Sequence, residues 1–263
     1  MIPHEPRLRA FAVGSHRTRF HRLLSLFSFA CGLAACGRVP GQFEIVNNQV
    51  PTANCSVPVN DNVYQGQGIL DAKLVRSGAG SAYFVFPLLK NNLSGASGGG
   101  VDSNKIVLTS FAVDISLLTA PPEITSLVDM LNADASLSAL LHYQTPWSGS
   151  IASGGGELSA IVAALPVELA GRMLGTQGLS IQPSTFVNLR VRSFGHTTTR
   201  DIESDPFDYP VAVCDGCLIA NVQPCPFLGT PLNTGNPCNV AQDYPVDCCT
   251  AGNELICPPV VSQ

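Results

Sequence analysis

Eight cysteines stand downstream of residue 36, and seven of them crowd between positions 214 and 257. No other feature narrows the fold as much. The set is Cys55, Cys214, Cys217, Cys225, Cys238, Cys248, Cys249 and Cys257. In an oxidising compartment an even set reads as a disulfide framework of up to four bridges. If all eight pair within the chain, lone Cys55 must reach the C-terminal cluster and close a very long loop. Spacing does not fix the connectivity, because eight cysteines allow about 105 pairings. Cys214-Asp215-Gly216-Cys217 has the form of a redox or zinc motif. It follows the apolar Val211-Ala212-Val213 and precedes Leu218-Ile219-Ala220, which suits a strand and a turn better than the helix start of a redox site. The remaining spacings give no second pair for a zinc site. Structural disulfides are therefore the expected use of all eight.

The N-terminus supplies the compartment. Arg7, Arg9, Arg17, Arg19 and Arg22 stand against one acid, Glu5, and an apolar run follows from Leu23 to Ala35. The run is short for a membrane span. A basic segment, a short apolar segment and small residues form the pattern of a secretory signal peptide. It ends in Leu33-Ala34-Ala35-Cys36. This segment resembles the lipobox of bacterial lipoproteins; the other reading is an ordinary signal peptide with a chance cysteine. The resemblance implies cleavage before Cys36, a diacylglyceryl thioether on its sulfur and an acylated amine. Several acyl chains give stable anchoring where one gives marginal binding. Cleavage there removes Cys31 and commits Cys36 to lipid, which leaves the eight pairable cysteines. By the same resemblance, Gly37 rather than an aspartate after the anchor favours sorting to the outer membrane.

After residue 35 the chain holds nine basic and 18 acidic residues, a net charge of −9. An acidic chain with only Lys73, Lys90 and Lys105 as lysines is poorly suited to phosphate backbones, so no nucleic-acid partner is expected. Glycine, proline, serine, threonine and asparagine are plentiful and charges scarce, a balance typical of β-rich exported domains.

The pattern along the chain agrees. Leu70, Ala72 and Leu74 alternate with Asp71 and Lys73, and Ala82–Phe86 reads as a buried strand. Val107, Thr109, Phe111, Val113, Ile115 and Leu117 share one face of the clearest strand. Ile124, Leu127, Val128 and Leu131 fit a helical stripe with Pro122 at its start. Leu137, Ala139, Leu141 and Tyr143 alternate again. Leu158–Leu165 is a strand candidate and Pro166–Leu174 a short helix. Val187, Leu189 and Val191, then Tyr209–Val213, complete the strands. The expected fold is mainly β: an antiparallel β-sandwich, with an immunoglobulin-like arrangement as one option, one or two short helices, and a disulfide-rich C-terminal segment. The expected divisions are a signal peptide at 1–35, a lipidated N-terminus and tether at 36–62, a sandwich at 63–213, and a cysteine-rich segment at 214–263. That last segment is either a small stapled subdomain or a strap across the sandwich.

Residues able to carry chemistry are few. Only His142 and His196 remain as histidines after residue 35. Neither is flanked by a triad signature, and G-x-S-x-G is absent. Asp201, Glu203, Asp205 and Asp208 could offer oxygens to Ca²⁺, but their spacing does not match the calcium-loop pattern, and solvated acidic loops are the simpler reading. Trp147, beside Pro146 in a stretch that reads as a loop, could stack on a sugar, though a core or turn role is commoner. No catalytic residue, metal ligand or cofactor is assigned.

Beyond the lipobox, the chain is similar to bacterial cell-envelope lipoproteins whose activity is uncharacterised. The residues that carry this are Tyr209-Pro210-Val211 with Cys214-Asp215-Gly216-Cys217-Leu218, then Gln242-Asp243, Asp247-Cys248-Cys249 and Cys257-Pro258. These motifs are tied to no activity; with no catalytic motif in the sequence, the expected function is that of a non-enzymatic envelope protein that meets the membrane through its lipid and has a structural, assembly or binding role. The alternatives are an exported hydrolase with an unrecognised site, and a calcium- or carbohydrate-binding surface adhesin.

Overall fold

The computed structural model describes residues 41–59, 62–95, 101–175, 185–225 and 233–257. The stretch expected to be a signal peptide and Cys36 lie outside them. The strands are β1 (Phe43–Asn48), β2 (Gly68–Asp71), β3 (Tyr83–Val85), β4 (Pro87–Asn91), β5 (Ile106–Thr119), β6 (His142–Ile151) and β7 (Gly156–Ser159). They continue with β8 (Val162–Leu165), β9 (Thr185–His196), β10 (Asp201–Glu203), β11 (Phe207–Cys214), β12 (Ile219–Pro224), β13 (Val246–Ala251) and β14 (Glu254–Ile256). Three helices interrupt them: α1 (Ala72–Arg76), α2 (Pro122–Ala133) and α3 (Val167–Gly175). The chain is mainly β, as the alternation requires.

The largest sheet runs β2-β11-β9-β5-β6, with β10 added on β9. β1-β4-β7 forms a second sheet, β3-β8 a two-stranded one, and β12-β13-β14 a C-terminal one. Pairing is antiparallel except for β2 with β11 and β12 with β13, which run parallel. One buried cluster joins Phe43 and Ile45 of β1, Leu70 of β2, Phe111 and Val113 of β5, Leu189 of β9, Tyr209 of β11 and Val246 of β13. Among the described residues no helix is long and apolar enough to cross a membrane.

Several elements follow the sequence pattern closely. α2 buries Ile124, Leu127, Val128 and Leu131, the stripe that the helical period selects. β9 buries every second residue from Thr185 to Gly195. Four departures have local causes. In β5, Val107 and Thr109 face solvent while Ile106 and Leu108 point inward. A register shift between Leu108 and Ser110 inserts one residue and flips the face, so the alternation holds only from Phe111 onward. The Leu137–Tyr143 alternation is split by a single 3-10 turn at Ser138–Leu140 before β6 begins. The Leu158–Leu165 run divides into β7, which pairs with β4, and β8, which pairs with β3. Within the stretch read as a tether, Phe43–Asn48 is strand β1, with Phe43 and Ile45 buried.

The C-terminal segment both contacts the strands before it and forms a sheet of its own. Residues 236–243 strap the body. Asn239 donates to the Ala82 carbonyl and accepts from the Ser81 N–H, while Gln242 accepts from the Phe84 N–H and donates to the Phe84 carbonyl. β12–β14 form their own small sheet, yet Val246, Cys248 and Cys257 enter the common core.

Candidate functional site

All eight cysteines after Cys36 are bridged: Cys55–Cys238, Cys214–Cys217, Cys225–Cys249 and Cys248–Cys257. Cys55 joins the C-terminal group, as the count requires. The shortest bridge, Cys214–Cys217, has an unusual neighbour. Asp71 ends β2, opposite Cys214 in the parallel register, and is fully buried. It caps α1, where its Oδ1 accepts from the N–H groups of Lys73 at 3.0 Å and Leu74 at 3.4 Å. The same oxygen accepts from the Gly216 N–H at 2.8 Å, and Oδ2 from the Leu218 N–H at 2.9 Å. One carboxylate therefore fixes both a helix start and the turn between the two cysteines. Gly216 sits at φ 78, a left-handed conformation suited to glycine. A carboxylate oxygen of Asp71 and both sulfurs lie within 4.8 Å of one another. Burial pushes the Asp71 carboxyl above its ordinary range, against the pull of the four N–H donors.

A second buried acid lies at the strap. Asp243 adopts φ 65. Its Oδ1 accepts from the Ile69 N–H at 2.9 Å and from Tyr83 Oη at 3.0 Å, and its Oδ2 accepts from Gln242 Nε2 at 3.2 Å. Tyr83 Oη is 3.3 Å from Tyr209 Oη, and the two rings stack with centroids 6.2 Å apart. Burial raises the Asp243 carboxyl to about 6, and burial likewise raises Tyr83 and Tyr209. Because folded Asp243 holds its proton more tightly than the unfolded chain does, folding takes up protons between the ordinary 3.8 and about 6. Its contribution to stability is therefore complete below that window and is lost as pH rises through it. Asp71 shifts the same way. Asp102, Asp134 and Asp208, held low by bonds from Ser153, Ser136 and Arg190, act in the opposite sense. Asp243→Asn isolates the one group. Relative to that variant, the unaltered protein is expected to lose on the order of 2–3 kcal/mol between pH 4 and 7. Urea midpoints across that range measure it, and parallel curves would contradict it.

Gly68 gives the cluster its room. A Cβ there would lie 2.0 Å from Tyr83 Oη and 2.5 Å from its Cζ. Gly68→Ala must push Tyr83 off Asp243, and overpacking of this kind costs about 1–3 kcal/mol. A lowered thermal midpoint with altered tyrosine near-ultraviolet signals is the expected outcome.

The residues singled out from sequence are dispersed. His142 opens β6, where its Nδ1 is 3.0 Å from Asp114 Oδ1. His196 ends β9, where it pairs with Val107 of β5 while His142 pairs with Asp114. Seven residues of strand separate the two, roughly 20 Å. Among the described residues no hydroxyl or thiol is hydrogen-bonded to His142 Nε2. His196, Asp201 and Glu203 help line an open groove of about 380 Å³. Glu203 is held by Arg192 and Asp208 by Arg190 and Asn188. Asp201, Glu203, Asp205 and Asp208 do not gather around a common point: among the described residues only Asp71, Cys214 and Cys217 come within metal-binding distance as a group of three. As a bridged pair the two sulfurs have no thiolate to give a metal. Trp147 lies in β6, edge-on to Phe111 at 5.8 Å, and belongs to the packing of the sheet.

Sequence reading missed both buried acids. It placed Asp71 on the outer face of a strand, whereas the chain turns into α1 directly after it. An aspartate before Ala-Lys-Leu-Val-Arg is a helix N-cap signal, but a five-residue helix is too short to show periodicity. No protein-family model matches the chain, and neither a curated protein nor a solved structure shows significant similarity to it.

Proposed function

We propose that this chain is an exported, lipid-anchored cell-envelope protein that serves by binding or scaffolding rather than by catalysis. The observation that carries this reading is the complete pairing of the eight cysteines that follow Cys36. Four bridges in one domain call for an oxidising compartment. They also leave Cys36 as the one cysteine downstream of the signal segment with no partner in the set. The acidic balance agrees with a role away from nucleic acid. The neighbouring strands β5, β9, β10 and β11 carry an open ladder of charged side chains, Asp114, Arg190, Arg192, Glu203 and Asp208, on which a partner would dock.

The test is metabolic labelling with tritiated palmitate in a bacterial host, followed by membrane fractionation. The expected result is label on the unaltered protein, recovered with outer membranes. Cys36→Ser should be unlabelled and leave the membrane fraction. Equal labelling of both proteins, or none of either, would sink the anchor.

A further inference from the structure

The Cys214–Cys217 bridge differs from the other three in ways that a purely structural staple does not need. It spans a sequence separation of 3, whereas the others span 183, 24 and 9. It therefore restrains the unfolded chain least. Its two sulfurs are unequal: Cys214 is fully buried at the end of β11, and Cys217 is half-buried in the turn beyond it. Cys214 Sγ also lies 3.6 Å from the Leu70 carbonyl oxygen, so a thiol formed there would have an acceptor waiting. A carboxylate oxygen of Asp71 lies within 4.8 Å of both sulfurs. Lys73 lies along the turn, its Cδ 3.4 Å and its Nζ 3.8 Å from where a Cβ on Gly216 would be. Asp215 is the other charge in that turn. Lys73 also lines an open groove of about 320 Å³ with Arg76, Ser77, Asn253, Glu254 and Leu255.

We propose that Cys214–Cys217 is a thiol–disulfide exchange site whose substrates are thiols, with Cys217 as the sulfur that is attacked and Asp71 as the proton carrier for buried Cys214. A substrate thiolate attacks Cys217 Sγ. The Cys214–Cys217 bond breaks, a mixed disulfide forms on Cys217, and the electron pair leaves on Cys214 Sγ, which takes a proton. A second substrate thiolate attacks the substrate sulfur of the mixed disulfide. It releases the substrate disulfide and leaves Cys217 as a thiolate, which Lys73 favours before it takes the second proton. Two thiols are oxidised and one bridge is reduced. In the reverse direction Cys214 passes its proton to Asp71 and attacks Cys217 Sγ, expelling the substrate thiolate. The site adds an activity to the anchored protein and does not depend on Cys36.

The purified full chain is equilibrated in glutathione buffers of graded poise, quenched by alkylation and mapped by peptide mass spectrometry. Cys214 and Cys217 are expected to be reduced at a more oxidising poise than the other six cysteines. A pair that stays closed until the other bridges open overturns the proposal. The reduced pair is then reoxidised with glutathione disulfide. Asp71→Asn keeps an oxygen for the N–H groups of Lys73, Leu74 and Gly216 but accepts no proton, so it is expected to accumulate the glutathione adduct on Cys217. Collapse of that adduct at the unaltered rate overturns the role of Asp71. Lys73→Met leaves the bonds of Asp71 in place should the asparagine variant fail to fold. It is expected to slow alkylation of reduced Cys217 by iodoacetamide, and an unchanged rate counts against the exchange site.

Discussion

Replacing Cys55 and Cys238 together by serine is expected to lower stability by about 5 kcal/mol in the chain-entropy description of cross-links. The bridge spans a sequence separation of 183, so its loss frees nearly the whole described domain in the unfolded state. It also anchors the strap: Asn239 and Gln242, within four residues of Cys238, hold Ser81, Ala82 and Phe84 through four hydrogen bonds. A domain at the lower end of the usual range of about 5–15 kcal/mol would be left near its unfolding threshold. Denaturant titration of the double variant measures the effect. The matching Cys214→Ser, Cys217→Ser pair is the control, since its short loop is worth about 2 kcal/mol in the same description. Equal losses from the two pairs would show that loop length does not set the contribution.

Asp71→Ala is the second large effect. The substitution leaves the N–H groups of Lys73, Leu74, Gly216 and Leu218 without their acceptor. A buried donor left unpaired costs about 1–3 kcal/mol, and a lost helix cap about 1. Water can enter from the half-buried side of the turn and recover part of this, so a total on the order of 3–5 kcal/mol is expected. Asp71→Asn should be milder, because its oxygen keeps the bonds from Lys73, Leu74 and Gly216 and only the Leu218 N–H loses its acceptor. Urea midpoints of the two variants separate the cases. A small loss in the alanine variant would mean that the turn and α1 hold without the carboxylate.

These two sites mark what can be read from the chain and what cannot. The cysteine count and the isolation of Cys55 already demand a long-range bridge, because parity is a global property that needs no geometry. α2 and β9 are legible because their periods persist long enough to select a face. β5 is only half legible, since an inserted residue near Thr109 reverses the face without leaving a mark in composition. β1 hides in a stretch rich in asparagine and glycine, and its pairing with β4 brings together residues far apart in sequence. Asp71 and Asp243 are the hardest cases. Each takes its meaning from donors far along the chain: Gly216 and Leu218 for Asp71, Ile69 and Tyr83 for Asp243. A local pattern cannot show that a carboxylate is buried, and it was the parallel pairing of β2 with β11 that brought Asp71 to the cysteine turn.

The eight cysteines after Cys36 are all bridged, and we propose that Cys36 itself carries lipid. Peptide mass spectrometry of the native protein, extracted from membranes without reductant and with free thiols blocked, tests it directly. The expected products are an acylated, glyceryl-modified Cys36 at the mature N-terminus, a Cys55–Cys238 linked peptide, an internal Cys214–Cys217 bridge, and links from Cys225 to Cys249 and from Cys248 to Cys257. A Cys36 found in a disulfide, or a Cys55 carrying the thiol-blocking group, would contradict it.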